Sequence, residues 1–206
     1  MLVIGLTGGI ASGKSTAARI LASFGAAIVD ADAISRQVLE PPSDALDAVA
    51  ARFGAQVLQP DGTVDRARLG EFVFADPGAR RDLEAITHPA IMALSAAAIL
   101  EASQTAPVVF YEAALLFESG RDRAFVETWL IALPEDLQLR RLMQRNGLSE
   151  AEALARVHAQ MPLNEKVERA TLTVWNDGDT HLLKHRLHAE WLRLLQRHSI
   201  TPGAPA

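Results

Sequence analysis

One short stretch near the amino terminus constrains what this chain can fold into more than any other feature. Residues 8–16 read Gly-Gly-Ile-Ala-Ser-Gly-Lys-Ser-Thr, which satisfies the pattern G-x-x-x-x-G-K-[ST]. A β-branched apolar run precedes it, and a helical pattern follows over 13–24 and stops at Gly25. The stretch therefore predicts a strand, a phosphate-binding loop and a helix, in that order. The alternative is a glycine-rich turn that merely precedes a helix.

The residue types in this loop suit a nucleoside triphosphate bound with Mg²⁺. Glycines let backbone N–H groups approach phosphate oxygens, and the helix that follows points its positive dipole end at them. Lys14 is a catalytic candidate because its cation can follow the β- and γ-phosphates, and the Ser15 hydroxyl is placed to coordinate the metal. The predicted nucleotide-binding residues are Gly8, Gly9, Ala11, Ser12, Gly13, Lys14, Ser15 and Thr16.

Along the rest of the chain, β-branched apolar runs alternate with longer stretches of helical period. This alternation predicts an α/β fold around a buried parallel sheet. The five predicted strands are 2–6, 27–30, 108–112, 129–133 and 172–175. The further predicted helices are 44–53, 66–74, 77–87, 89–103, 135–145, 149–160 and 180–198, and Ser149 with Glu152 forms a capping-box pattern.

No repeat or long linker divides the chain, so we expect one domain with two insertions. The core comprises about 1–31, 105–134 and 169–200, and the insertions are mostly helical and cover about 32–104 and 135–168. Extra segments at strand ends of α/β proteins are where binding surfaces and lids are usually built. The tail from Thr201 onward is expected to fray.

Composition narrows the functional classes. The chain has 206 residues, a net charge of −5 and no cysteine, which excludes disulfides, thiolate zinc sites and a cysteine nucleophile. An acidic balance disfavours general binding to nucleic acid or anionic membranes. There is neither a secretion signal nor an uninterrupted apolar run of about 18 residues. We therefore expect a soluble, cytoplasmic protein that binds neither nucleic acid nor membrane.

Two aspartates follow the second predicted strand, at the edge of an α/β sheet where ligands bind. If the chain stays extended there, Asp30 and Asp32 point the same way, because strand side chains alternate. One could then accept a proton from a hydroxyl acceptor while the other positions that group or the metal. The equally weighted alternative is that Asp32 caps a helix over 33–39.

An arginine cluster follows the fourth predicted strand. Arg141 and Arg145 lie four residues apart and share a helical face. Paired guanidinium groups on a movable helix could close over a triphosphate and neutralise the charge that develops during transfer. The alternative is a pair of solvated surface arginines, but the phosphate loop favours the functional interpretation.

Three weaker candidates complete the set. Glu112 ends an apolar strand, where a carboxylate can act on Mg²⁺ through water, although it could also serve only as a cap or ion-pair partner. The segment from Asn176 to Gly178 has the composition of a turn first and of a nucleobase-binding loop second. His88, inside the large insertion, is as compatible with an acceptor contact as with a structural hydrogen bond.

The motifs, taken in chain order, resemble those of the dephospho-CoA kinase family over about residues 3–180. They are Gly-Leu-Thr-Gly-Gly-Ile-Ala-Ser-Gly-Lys-Ser-Thr at 5–16, Val-Asp-Ala-Asp at 29–32, Glu-Ala-Ile-Thr-His-Pro at 84–89, Ala-Leu-Leu-Phe-Glu at 114–118, Gln-Leu-x-Arg-Leu-Met-x-Arg at 138–145, Gln-Met at 160–161 and Asn-Asp-Gly at 176–178. Only the phosphate loop is generic, whereas the ordered set is specific.

The resemblance implies a P-loop NTPase fold of the NMP-kinase-like, three-layer kind, with a five-stranded parallel sheet, a helical acceptor-binding insertion and a helical lid. It implies MgATP-dependent phosphorylation of the ribose 3′-hydroxyl of dephospho-CoA, the last step of coenzyme A synthesis. Asp32 would be the general base, the arginine segment would belong to the lid, and Thr7, Asp32 and His88 would contact the acceptor.

The sequence departs from the family pattern at three places. Ala11 replaces a usual glycine and is tolerable if its φ stays below zero; Glu112-Ala-Ala replaces Asp-x-Pro; and Thr171 replaces an aspartate. The rival functions are another P-loop kinase of nucleosides or nucleotides and, less favoured, a regulatory P-loop NTPase. The latter loses support because neither Asn-Lys-x-Asp nor Asp-x-x-Gly occurs.

Overall fold

A computed structural model describes residues 1–201, which form two compact units. The first unit contains Met1–Asp30 and the chain from Ile99 onward, and the second contains Ala31–Ala98. The predicted fraying of the tail falls almost wholly on 202–206, outside the described residues.

The first unit is built on a five-stranded parallel sheet, which confirms the predicted fold class. Its strands are β1 (Leu2–Gly8), β2 (Ala27–Asp30), β3 (Val108–Glu112), β4 (Glu127–Ala132) and β5 (Leu172–Trp175). Their order across the sheet is β2-β3-β1-β4-β5. β1 therefore lies in the middle, and its carboxyl end delivers the glycine-rich loop to the centre of one sheet edge.

Apolar side chains cover both faces of this sheet. Trp129 and Ile131 of β4 pack in one buried cluster with residues of α1 (Lys14–Ser23) and α9 (Thr180–Arg197). Leu130 and Ala132 point to the opposite face and pack near α8 (Leu163–Arg169). The alternation of strand side chains thus produces three layers, with the sheet between helices.

Two further helices of this unit follow β4. α6 is Glu135–Asn146 and α7 is Glu150–His158. The predicted capping box is present at the start of α7: Ser149 accepts from the backbone of Glu152, whose side chain accepts from the backbone of Ser149. A short 3₁₀ helix, Arg121–Ala124, lies between β3 and β4.

The second unit is helical. It contains α2 (Ala31–Gln37), α3 (Asp44–Phe53), a 3₁₀ turn (Ala55–Val57), α4 (Arg66–Ala75) and most of α5 (Pro77–Ala102). Ser43 and Asp65 cap α3 and α4 through their side-chain oxygens. Its buried apolar residues include Ile34, Val38, Leu46, Val49, Phe53, Val57, Val64, Leu69 and Ile91.

The structure differs from the predicted helices at three places. α5 runs unbroken through Pro89, where two helices were predicted; Pro89 and Ala85 are both exposed, so water can hydrogen-bond the carbonyl that loses its donor. α8 was not predicted, although Pro162 before it is a typical start signal. α2 begins at Ala31 rather than after Asp32.

Within residues 1–201, α5 is the one helix long and apolar enough to cross a membrane by length and composition, a test that core helices of soluble proteins also pass. The predicted lack of membrane binding stays a prediction.

Candidate nucleotide and phosphoryl-transfer site

Functional side chains of the first unit gather at the carboxyl edge of the sheet. β1 ends at Gly8, β3 ends at Glu112, and Asp30 at the end of β2 is paired in register with Glu112. Parallel pairing brings these strand ends to one edge because all the strands point the same way. The motifs that follow the strands are therefore neighbours in space, as their positions in the sequence predict.

The glycine-rich loop folds back on itself before α1 begins. The N–H of Ser12 donates to the carbonyl of Gly9 at 3.0 Å, and Gly13 precedes the helix with a φ of 90°. No side chain caps α1, and its first turn holds no acidic residue. Its amino-terminal N–H groups and its dipole therefore suit an anion.

Ala11 departs from the conformation that we expected. Its φ is +60°, in the left-handed region, rather than below zero. A Cβ in this region approaches the following carbonyl and costs about 1–2 kcal/mol. The alanine thus keeps the glycine-like backbone of the loop under local strain.

Lys14, Ser15 and Glu112 form a compact polar cluster. Glu112 Oε1 accepts from Lys14 Nζ at 2.8 Å and from the Ser15 hydroxyl at 3.0 Å. The side chains of Lys14 and Glu112 are only 12% and 7% exposed, so water screens this ion pair weakly. The cluster joins a cation, a hydroxyl and a carboxylate at the start of α1.

Arg141 of α6 and Asn176, directly after β5, meet beside the loop. Arg141 Nη2 donates to the backbone carbonyl of Asn176 at 2.9 Å. The side-chain amide of Asn176 donates to the carbonyl of Ser12 at 2.7 Å. The arginine segment and the Asn-Asp-Gly turn, far apart in sequence, are thereby connected to the phosphate loop.

These residues line a cavity of about 500 Å³. Its lining includes Ala11, Gly13, Thr16, Arg141, Arg145, Asn176 and Gly178, all predicted nucleotide-binding residues. A cavity of this size is in the range of small-molecule sites. Arg145 donates to the side chain of neighbouring Asn146 at 2.9 Å.

The loop that borders this cavity is held by an ion pair. Arg186 donates to Asp177 and to the backbone carbonyl of Trp175. The hydrogen bond from Arg186 holds the pKa of the Asp177 carboxyl below its usual range. The ion pair links the turn after β5 to Arg186 of α9.

Two glutamines that we did not place in the site contact the phosphate-loop region. The N–H of Ile10 donates to Gln160 Oε1 at 2.7 Å, and buried Gln138 donates to the carbonyl of Leu133 at 2.7 Å. Both residues line a second cavity of about 340 Å³ that reaches Gly9. The sequence signal that could have placed them in the site is that Gln138 and Gln160 each begin one of the motifs that resemble the family.

A buried ion pair fixes the segment after Gln160. Lys166 Nζ lies 2.9 Å from Glu118 Oε1, and the Lys166 side chain is only 2% exposed. The same carboxylate oxygen accepts from the N–H of Met161 at 3.1 Å. The last helix of the predicted lid, α8, is thus tied to the segment that follows β3.

The predicted acceptor residues have different environments. Thr7 is fully buried, and its hydroxyl donates to the carbonyl of Ala114 at 3.4 Å, so a direct substrate contact would require this side chain to become exposed. His88 is exposed on α5 in the second unit. Its contact with an acceptor stays a prediction.

Neither structural expectation for Asp32 is correct. The chain leaves the extended conformation at Asp30, and α2 begins at Ala31, so Asp32 is not aligned with Asp30 along a strand. Asp32 is not a cap either, because it lies inside the first helical turn. An acidic residue there interacts favourably with the helix dipole, and its role as a base remains a prediction.

Among residues 1–201, no group of three or more His, Asp or Glu side chains could hold a metal ion by itself.

A parallel sheet whose central strand leads through Gly8–Ser15 into an uncapped helix defines the class of P-loop nucleotide-binding proteins.

Comparison with known proteins narrows this class. The family model described as dephospho-CoA kinase matches residues 2–181. The chain is 46% identical to the dephospho-CoA kinase of Geobacter metallireducens, over 96% of this chain and 98% of that protein. It is 51% identical to the dephospho-CoA kinase of Anaeromyxobacter dehalogenans, over 86% and 85% of the two chains. The chain belongs to the dephospho-CoA kinase family, which is a family of transferases.

Solved structures agree with this membership. A Thermus thermophilus protein is 39% identical and superimposes with a TM-score of 0.80, over 94% of this chain and 97% of that one. Dephospho-CoA kinase from Campylobacter jejuni is 30% identical with a TM-score of 0.69, over 95% and 98%. Shikimate kinase from Acinetobacter baumannii, at 16% identity and a TM-score of 0.50, shares the fold alone.

Proposed function

We propose that this chain transfers the γ-phosphoryl group of ATP to the ribose 3′-hydroxyl of dephospho-CoA, which yields coenzyme A and ADP in the cytoplasm. In this reaction the acceptor oxygen bonds to the γ-phosphorus, the bond from that phosphorus to the β–γ bridging oxygen breaks, and the hydroxyl proton passes to a carboxylate. The observation that carries the proposal is the Lys14, Ser15 and Glu112 cluster beside the phosphate loop, in a chain of this family.

Lys14 supplies the mobile positive charge of this mechanism. Its ammonium contacts Glu112 at 2.8 Å, and we expect it to direct some of its three N–H donors to phosphate oxygens when ATP binds. Phosphate oxygens offer the same charge-assisted hydrogen bonds, and the backbone N–H groups of the loop hold the remaining oxygens. Lys14 then neutralises charge on the transferred group and on the leaving ADP.

Arg141 and Arg145 serve the nucleotide from the side of α6. Both line the 500 Å³ cavity that also reaches Gly13 and Thr16. Arg141 keeps one guanidinium nitrogen on the carbonyl of Asn176. A guanidinium carries five N–H donors, so four remain for phosphate oxygens that gain charge during transfer.

The residues present fit a magnesium ion held together with the phosphates. Mg²⁺ takes oxygen ligands and is usually bound by one or two protein groups, with phosphates and water completing the set. The Ser15 hydroxyl and the Glu112 carboxylate are such oxygens and lie 3.0 Å apart. When bound, the ion would neutralise phosphate charge; Ser15 would hold it directly and Glu112 directly or through water.

The acceptor is assigned to the second unit and to Asp32. We infer that the helical unit Ala31–Ala98 is the acceptor-binding insertion, with His88 on its surface, and that α6 to α8 form the lid. Asp32, in the first turn of α2, is the proposed general base. A carboxylate that takes the hydroxyl proton makes the oxygen a better nucleophile, typically by 10²–10⁴ in rate.

An ADP-release assay with a panel of acceptors tests the proposal. Purified protein is incubated with MgATP and, separately, dephospho-CoA, nucleosides, nucleotides or water alone, and the product is analysed by mass spectrometry. We expect dephospho-CoA to raise ADP release far above the rate with water and to gain the mass of one phosphoryl group at the ribose. ADP release that is the same with and without dephospho-CoA would refute the assignment.

Lys14→Met tests the role of the phosphate-loop lysine, and Lys184→Met is its matched control. Both substitutions replace a lysine by an uncharged chain of similar length, but Lys184 is exposed on α9. Loss of one transition-state contact costs several kcal/mol, so Lys14→Met should lower turnover by roughly 10²-fold or more. Lys184→Met should turn over like the parent. Activity in Lys14→Met within tenfold of the parent would show that the phosphate loop is not the site.

A further inference from the structure

We propose that Asn176 is a positioning residue that holds the phosphate loop in its anion-binding shape, rather than a residue that reads the nucleobase. This inference rests on the proposed use of the loop for nucleotide binding. Asn176 is 6% exposed and lies directly after β5. Sequence composition alone gives this position to a turn or to a base contact.

Three hydrogen bonds fix Asn176 between the sheet, the loop and α6. Its backbone N–H donates to the carbonyl of Ala132 at 2.8 Å, which extends the pairing of β5 with β4. Its side-chain amide donates to the carbonyl of Ser12 at 2.7 Å, and its own carbonyl accepts from Arg141 at 2.9 Å. The rigid sheet is thereby connected to the loop through one side chain.

The contact with Ser12 is important because of where Ser12 lies in the loop. Ser12 is 1% exposed, so without Asn176 its carbonyl would be buried beside the loop with one donor fewer. Leaving a buried acceptor unpaired is unfavourable, and a rearranged peptide between Ser12 and Gly13 would redirect the loop N–H groups that we propose bind phosphate.

The Asn176 side chain also restricts which residue can stand at position 13. A Cβ built on Gly13 would lie 2.2 Å from the amide nitrogen of Asn176, and the φ of Gly13 is +90°. Glycine is therefore required here both by the backbone conformation and by the close approach of Asn176. The second glycine of the G-x-x-x-x-G-K pattern and Asn176 fit each other as a pair.

The two roles predict different losses when the side chain is removed, because the side-chain amide of Asn176 contacts the loop. The amide nitrogen of Asn176 is engaged by Ser12, and its backbone carbonyl is engaged by Arg141. Loss of the side chain should consequently weaken binding of any ligand that has the polyphosphate, whether or not it carries a base.

The test compares two ligands that differ in having a base. Affinities for ADP and for inorganic tripolyphosphate, each with Mg²⁺, are measured by calorimetry on the parent, Asn176→Ala and Asn176→Asp. Asn176→Asp is nearly isosteric but places an acceptor against the Ser12 carbonyl. We expect both variants to bind both ligands about tenfold to a hundredfold more weakly, by similar factors. Gln104→Glu, an exposed amide between α5 and β3, controls for the added charge and should bind both ligands like the parent.

Selective loss of ADP binding, with tripolyphosphate binding retained, would overturn the proposal and assign Asn176 to the base. Parental affinities in both variants would overturn it as well. If neither variant folds, the side-chain amide resonance of Asn176 in the ¹⁵N-labelled parent decides: it should shift when tripolyphosphate is added, and an unmoved resonance contradicts the role. These measurements need no acceptor, so they remain decisive even if dephospho-CoA is not the substrate.

Discussion

Ala11 shows how one residue in the phosphate loop trades stability for shape. Its φ of +60° lies in the region that glycine adopts without steric cost. Ala11→Gly should therefore raise the free energy of unfolding by about 1 kcal/mol, less the larger entropy that glycine loses on folding. Chemical denaturation of the two proteins checks this expectation. Ala48→Gly, at an exposed position in the middle of α3, is the matched control and should lower stability by about 0.5–1 kcal/mol.

Asp32 carries the residue-scale prediction on which the mechanism depends most. Asp32→Asn keeps the shape of the side chain but removes the proton acceptor, so kcat should fall by about 10²–10⁴ while the KM for ATP changes little. Steady-state kinetics with saturating dephospho-CoA measures both constants.

Asp44→Asn separates this role from a structural one. Asp44 is exposed in the first turn of α3, just as Asp32 lies in the first turn of α2, so both substitutions remove a similar helix-dipole interaction of about 0.3–1 kcal/mol. We expect parental kcat in Asp44→Asn. Parental kcat in Asp32→Asn as well would transfer the base role to Asp30.

At the scale of elements, α8 is held by the buried ion pair between its Lys166 and Glu118. Glu118 is 21% exposed and also accepts from Met161, whereas Lys166 is 2% exposed. Breaking a buried pair typically costs about 3–5 kcal/mol, because an uncompensated charge stays behind. Glu118→Gln should therefore destabilise the protein by about that much, and Lys166→Met by less, since the remaining carboxylate is nearer to water and keeps a donor.

A double-mutant cycle in denaturant measures this asymmetry. The variant with both substitutions should be more stable than Glu118→Gln alone, because removing the buried ammonium relieves the uncompensated charge. Equal losses in the two single variants that simply add in the double variant would show that the pair does not interact.

The strands were predictable because each is a short apolar run buried between two layers. β2, β3 and β5 have the predicted bounds, and β1 extends two residues further because Thr7 and Gly8 continue the pairing with β4 without apolar side chains of their own. The continuity of α5 was not predictable, because it depends on which face of the helix meets solvent. The same holds for Asp32, whose position depends on where a helix begins.

The candidate site was predictable where a single short motif determines the local backbone conformation. The loop from Gly8 to Ser15 is such a case, since the order of strand, turn and helix is local. The contacts of Asn176 with Ser12 and of Gln160 with Ile10 span more than a hundred residues. Periodicity and spacing carry no information on such pairings, which arise only when the sheet order is known.

At the scale of the whole chain, the two edges of the sheet at the strand ends carry different groups of polar residues. The carboxyl edge carries the phosphate loop, and the opposite edge carries a charged cluster around Glu127, the first residue of β4. Glu127 is 7% exposed and accepts from Arg197, His198 and the indole N–H of Trp129. Since Arg197 ends α9 and His198 directly follows it, this cluster joins the carboxyl terminus of the last helix to the sheet.

Stability of the fold should depend on pH through this cluster. Burial alone raises the pKa of Glu127, but the hydrogen bonds from His198, Arg197 and Trp129 outweigh burial and hold the pKa below its ordinary value of 4.5. A carboxyl whose pKa is lower in the folded than in the unfolded protein adds stability above the unfolded pKa and loses it as the pH falls through the folded pKa.

Glu127→Gln should thus be less stable than the parent at pH 7, and this difference in the free energy of unfolding, the gap, should narrow steadily below about pH 4.5. Urea midpoints across pH 3.5–7.5 measure it, with exposed Glu168→Gln as a control that should show little gap at any pH. A gap for Glu127→Gln that stays constant down to pH 3.5 would show that packing, rather than the charge, is what Glu127 contributes.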